Sequence, residues 1–260
     1  ARGAKAKIKI GQIGSAHSHA SGKLAAIRKL SDDYELVGVA QPREAVELPI
    51  PSGGAYRGVK RMTEEQLLAI PGLQAVAIET EVPHLVAAAR RAVAAGLHIH
   101  HDKPGGTTLA DFRELLRLAK RNEVTVQMGY MLRYNPAFQF MYRAVREGWL
   151  GEITEIDAMM GKLGGAGMRR DLAEFQGGGF FELACHILDS AMFIMGKPQK
   201  VHGITRRTQS AKGDTFADNQ LAVLEYPTGT VCLRCNHNDP FGGPRRRFNI
   251  AGRHLSLIHI

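Results

Sequence analysis

The sequence predicts an α/β chain: a doubly wound parallel sheet first, then an α+β part on an open, mainly antiparallel sheet. Three observations predict it. Short apolar runs alternate with helical spacing up to about residue 130. From residue 152 apolar and polar residues alternate, as in a strand with one wet face. Glycine and proline close the runs, as at Gly14, Pro42, Gly96 and Gly229.

Residues 5–14 turn from alternating to apolar, as a central parallel strand does. Leu24, Ile27 and Leu30 give residues 18–30 a helical stripe. Residues 34–40 read as a second strand and 43–60, rich in Pro and Gly, as irregular chain. Thr63 with Gln66 three positions on is a helix-opening cap. Strands follow at 75–78, 97–101 and 124–130, separated by an alanine-rich helix at 83–95 and another from 108 to about 121. Beyond Trp149 the expected elements are a strand at 152–160, a glycine-rich loop at 161–167 and a helix at 181–195. Strands at 201–208, 219–226, 230–236 and 247–251 complete the pattern, with Pro227-Thr228-Gly229 as a hairpin turn. The expected domains are 1–133 and 134–254. Residues 255–260 resemble translated adapter sequence from library preparation and are expected to be a non-native tail, the natural chain continuing past 253 or 254.

Length and composition suit two modest domains. The formal net charge is +9, but the 34 Lys and Arg are spread along the chain, and Arg245-Arg246-Arg247 lacks aromatic neighbours for base stacking. Nucleic acid is therefore not expected as a partner. No apolar run reaches the length of a membrane span. Three cysteines give no disulfide framework, and Cys232 and Cys235, three apart in a strand pattern, point to opposite faces. A cytoplasmic location is expected, with an export signal left open because the sequence starts at Ala1.

Two segments carry chemistry. His98-Ile99-His100-His101-Asp102-Lys103-Pro104 puts a lysine just past a strand, where ligands gather in such sheets. Gly177-Gly178-Gly179-Phe180-Phe181-Glu182-Leu183-Ala184-Cys185-His186 puts Glu182, His186 and Asp189 on one helix face. The first turn, Gly14-Ser15-Ala16-His17-Ser18-His19, has glycine only at the first of the three places a dinucleotide fingerprint wants, yet the helix N-terminus can still hold phosphate. Gln41 stands where a carboxylate would bind the ribose 2′-hydroxyl, followed by Arg43. That favours NADP over NAD. His17 with His19, and His98 with His100 and His101, raise a metal reading. Strand alternation splits the second group, and no metal is expected.

Taken together, Asp102-Lys103-Pro104, Arg133-Tyr134-Asn135-Pro136 and the glycine run leading to Glu182 and His186 resemble the Gfo/Idh/MocA family of oxidoreductases. The likeness spans about residues 6–253. It implies a Rossmann domain followed by a substrate and oligomerisation domain, and NAD(P)-dependent oxidation of a secondary alcohol on a sugar, polyol or related small molecule. Under it Lys103 and His186 form the pair at the hydride-transfer site: His186 is the general base, Lys103 steadies the developing alkoxide, and Glu182 orients histidine or substrate. Gly14, Ser15, Ala16, His17, Gln41, Arg43, Lys103 and Tyr134 form the cofactor site, and a homo-oligomer of the full-length protein is implied. Ala16, His19, Gln41 and Glu182 depart from the family pattern. They leave two alternatives, an NAD-assisted glycoside hydrolase of the same fold and a non-catalytic sugar- or nucleotide-binding relative.

Overall fold

The computed structural model describes residues 6–209 and 212–259. Lys5, expected to open the first strand, and Ile260, expected in the tail, lie outside the described residues. Two compact units divide between Gly129 and Tyr130, ahead of the expected boundary at 133/134. The turn Met131–Tyr134 goes with the second unit because Leu132 packs on its core and Arg133 pairs with Asp189.

The first unit contains β1 (Ile8–Ile13), α1 (Ala20–Lys29), β2 (Tyr34–Ala40), β3 (Arg61–Met62), α2 (Glu64–Leu68), β4 (Ala75–Ile78), α3 (Leu85–Ala94), β5 (His98–His101), α4 (Leu109–Arg121) and β6 (Val126–Met128). Its sheet runs β3-β2-β1-β4-β5-β6 with every pair parallel. β2 and β4 flank β1, so the winding reverses there and the carboxyl end of β1 is the topological switch point. One face buries Ile13, Val76, Ile78 and Ile99 under Leu85, Ala88, Ala89, Ala92 and Val93 of α3 and Leu115 of α4. Alanine on α3 lets helix and sheet approach closely. Thr63 and Gln66 form the expected reciprocal cap on α2. β3 lies just past the stretch read as irregular. Two residues are too few to leave a period in the sequence.

The second unit contains α5 (Pro136–Arg146), β7 (Ile153–Gly161), α6 (Ala166–Ala173), α7 (Cys185–Met195), β8 (Lys200–Arg206), β9 (Asn219–Glu225), β10 (Thr230–Asn236), β11 (Arg247–Gly252) and β12 (Ser256–His259). The sheet order is β12-β11-β7-β10-β9-β8, antiparallel except for β7 with β10. Residues 256–259 pair with β11 as an edge strand. α5 opens on Asn135, whose side chain accepts from Ala137 N–H at 2.9 Å, with Pro136 in the first turn. α6 occupies part of the expected glycine-rich loop; Leu172 and Arg169 are its buried side chains. α5 and α7 cover the sheet, and Phe138, Ile156, Leu183, Ile187, Leu233 and Phe248 fill the space between. Among the described residues no helix is long and apolar enough to cross a membrane.

α5 presents Phe138 inward, 2 % exposed and edge-on to Phe248 at 5.2 Å, and Phe140 outward, 54 % exposed against Trp149. Phe138→Ala is expected to lower unfolding stability in urea by about 3–5 kcal/mol, and Phe140→Ala by no more than about 1 kcal/mol. Equal losses would contradict this assignment of faces.

Candidate functional site

β1 hands the chain to Gly14, which sits at φ +94°. A Cβ there would lie 2.6 Å from backbone atoms of Glu79 and Thr80, just past β4, so both backbone angle and space demand glycine. Ser15 Oγ accepts from Gln41 Nε2 at 2.9 Å, and the same amide donates to the Leu48 carbonyl at 3.0 Å. The end of β2 is thereby tied to the β1 turn. Gln41 is buried and its Oε1 has no hydrogen-bond partner in the protein. Ala16 is exposed. α1 has no acidic residue in its first turn and no side-chain cap from His19, which leaves its positive end available to an anion. Arg43 turns to Glu65 at 2.5 Å, while its backbone N–H donates to Glu64 at 3.0 Å.

Past β5, Asp102 is 2 % exposed. Its Oδ1 accepts the Lys103 backbone N–H at 2.6 Å, and both oxygens lie 3.1 Å from His19 Nδ1. Oδ2 is 3.6 Å from His17 Nδ1. Glu79 is fully buried, and neither of its carboxyl oxygens accepts a hydrogen bond. His17 Nδ1, 3.9 Å from Glu79 Oε2, is beyond hydrogen-bond reach. Burial, and then the charge of Asp102, pushes the Glu79 carboxyl far above its ordinary range. Burial works against the Asp102 carboxylate as well, but the His19 hydrogen bond and the charges of His17 and His19 outweigh it and hold Asp102 ionised. Burial also pushes His17 down, and His101 down to about 4. Lys103 is 3 % exposed and precedes a cis bond to Pro104.

In the second unit the glycine run passes close to its neighbours: a Cβ on Gly179 would lie 2.5 Å from His237 Nδ1. The expected helix begins as a wide π turn, Phe180–Ala184, before α7. Glu182 and Asp189 are held there by different neighbours. Glu182 turns to Lys162 Nζ at 3.0 Å and His237 Nε2 at 3.1 Å. Asp189 is gripped by Arg133, with Nε and Nη2 each 2.7 Å from a carboxylate oxygen. His186 is 4 % exposed, with Tyr130 edge-on at 6.1 Å. Burial pushes the Tyr130 hydroxyl up to about 12. Tyr134, placed in the cofactor site by resemblance, is 61 % exposed within its unit.

The structure thus brings Ser15 to Gln41 and His17 to the residue beside Lys103, and directs Arg43 to Glu65. Sequence reasoning missed His237 and Glu79, and named Asp102 only as part of the Asp102-Lys103-Pro104 motif. The signal for His237 was available: it continues the alternation of β10 two positions past the buried Cys235.

Residues 8–130 match the model of an oxidoreductase family with an NAD-binding Rossmann fold, and residues 138–258 match the GFO/IDH/MocA C-terminal domain. The chain is 27% identical to trans-1,2-dihydrobenzene-1,2-diol dehydrogenase of Bos taurus over 168 residues, 64% of this chain and 49% of that protein. It is 30% identical to the uncharacterized oxidoreductase YhhX of Escherichia coli K12 over 201 residues, 75% of this chain and 55% of that one. The chain therefore spans about half the length of these curated relatives. The solved structure of the WlbA dehydrogenase of Bordetella pertussis, in complex with NADH and UDP-GlcNAcA, superposes at a TM-score of 0.82. It shares 19% identity, over 97% of this chain and 78% of that one. At that identity the likeness speaks for the fold.

Glu79 gives a pH test. The unfolded chain ionises it near 4.5, whereas the folded chain keeps it neutral far higher. The unfolded state then holds fewer protons, so this group costs stability progressively as pH rises above about 5. Glu79→Gln is expected to gain on the parent protein by more than about 1 kcal/mol between about pH 5 and 8, read from urea midpoints. A pH-independent difference would contradict the assignment.

Proposed function

Since the chain belongs to the GFO/IDH/MocA oxidoreductase family, we propose that it serves NAD(P)-dependent oxidation and reduction of a secondary alcohol on a sugar, polyol or related small molecule. The observation that carries the reading is the β1 turn at the switch point of the parallel sheet. There Gly14 is sterically required and the first turn of α1 carries no acidic residue of its own. These residues fit a dinucleotide. The turn 14–17 and the α1 N-terminus would hold its phosphates through backbone N–H groups. Gln41, with an amide oxygen left over, would meet the adenosine ribose.

The preference is for NADP. An amide at Gln41 does not repel a 2′-phosphate as a carboxylate does. The Arg43–Glu65 ion pair is more than half exposed on both sides, and water screens it, so Arg43 is readily redirected to the phosphate.

The nicotinamide, when bound, accepts or donates hydride. The chain's own residues manage the proton and the oxygen. His186 takes the hydroxyl proton, being a group whose ordinary range straddles neutrality. Lys103 hydrogen-bonds the substrate oxygen and offsets the charge that develops on it. Tyr134 would line the nicotinamide pocket. Glu182, anchored by Lys162 and His237, orients substrate hydroxyls. The first unit is assigned to the dinucleotide and the second to the substrate.

Titration of the purified chain with NADPH and NADH, followed by nicotinamide fluorescence, tests the reading. Saturable binding with NADPH tighter is expected, and Gln41→Asp is expected to shift the ratio at least about tenfold toward NADH. No binding of either nucleotide by folded protein overturns it.

A further inference from the structure

The β1 turn also carries a cluster that hydride chemistry leaves unused. His17 Nδ1, His19 Nδ1 and an Asp102 oxygen all lie within 4.8 Å of one another. Asp102 Oδ2 stands 3.6 Å from the first nitrogen and 3.1 Å from the second. A tetrahedral zinc-class ion, with donors about 2.0–2.1 Å away, sets those donors roughly 3.3 Å apart. The observed spacings straddle that value. From this geometry we infer that His17, His19 and Asp102 form a binding site for one divalent transition-metal ion of the zinc class.

The donors are set up for it. His17 Nδ1 faces Asp102 Oδ2, and the hydrogen bond it accepts from the His19 backbone N–H is a long one, 3.3 Å, which an ion on that nitrogen would displace. Asp102 Oδ1 is held by the Lys103 N–H, which fixes the carboxylate and leaves Oδ2 toward the histidines. His19 has a side chain 47 % exposed, giving an ion a way in from solvent. Two imidazoles and a carboxylate leave the fourth position of a tetrahedron open.

A second observation points the same way. On the other side of Asp102, Glu79 and His100 make a further group within 4.8 Å of it. His100 Nε2 is buried with no hydrogen-bond partner in the protein, whereas the neutral Glu79 carboxyl has Asp102 beside it. Buried polar atoms without partners are rare in folded proteins. An ion on Asp102 with its bound water would supply the partner that His100 lacks.

The inference does not depend on the nucleotide reading, because its probe is the metal alone. Chelator-treated protein would be titrated with Zn²⁺ by calorimetry and with Co²⁺ by visible absorption. One equivalent is expected, with the intense bands of tetrahedral cobalt. His19→Gln and His17→Gln are each expected to weaken binding at least about tenfold. His202→Gln, at an exposed histidine in the second unit, is expected to leave binding unchanged. Absence of stoichiometric binding, or equal binding by His19→Gln, overturns the site. His19 is half exposed, so that variant keeps the test decisive even if His17→Gln does not fold.

Discussion

Burial of two carboxyl groups at neighbouring strand ends, Glu79 past β4 and Asp102 past β5, is the constraint around which the first unit is arranged. Two carboxylates this close and this dry do not ionise together. Asp102 is the ionised one because the β1 turn brings two imidazoles to it. This accounts for the departures from the glycine fingerprint. Where glycine would let helix and strand pack by close approach, His19 reaches across to Asp102 and joins the same two segments by a hydrogen bond. The turn, the helix start and the Lys103 backbone thus share one anchor.

The second unit uses a longer polar chain for a similar end. Lys162, Glu182, His237 and Cys235 follow one another, the last contact being 3.6 Å from Sγ to His237 Nδ1. Burial pushes the Cys235 thiol up to about 12, so this end of the chain stays neutral. Arg133 and Asp189 brace the opposite side of α7. Glu182 and Asp189 are in this way fixed by different neighbours, with His186 between them in sequence.

The parallel sheet was legible because β1, β2 and β4 are short apolar runs with helices between them. β2, β4 and β10 fall where the residue pattern puts them. What escaped was set by tertiary partners. α6 carries Gly167 and two consecutive arginines; Arg169 is held in place by Asp214 and Asp218, far along the chain. α5 was signalled by Asn135-Pro136, but its stripe was not traced there. The π turn leaves no local pattern, since it arises where the glycine run passes beside His237 and Ala217. In the site, single residues such as Lys103 and His186 stood out by their motifs. Glu79 did not, because a lone glutamate at a strand end looks solvated until the fold buries it.

The pairing of β7 sets the order in which the chain can assemble. In the first sheet each strand's partner is supplied by a nearby β-α unit, so pairing can advance as the polypeptide lengthens. β7 instead sits between β10 and β11, with Glu155 opposite Thr230 and Asp157 opposite Asn249. No closer segment completes it. The centre of that sheet forms only after a long loop closes, which costs entropy before any contact repays it. During synthesis the first unit can be native while β7 still waits for its neighbours to be made.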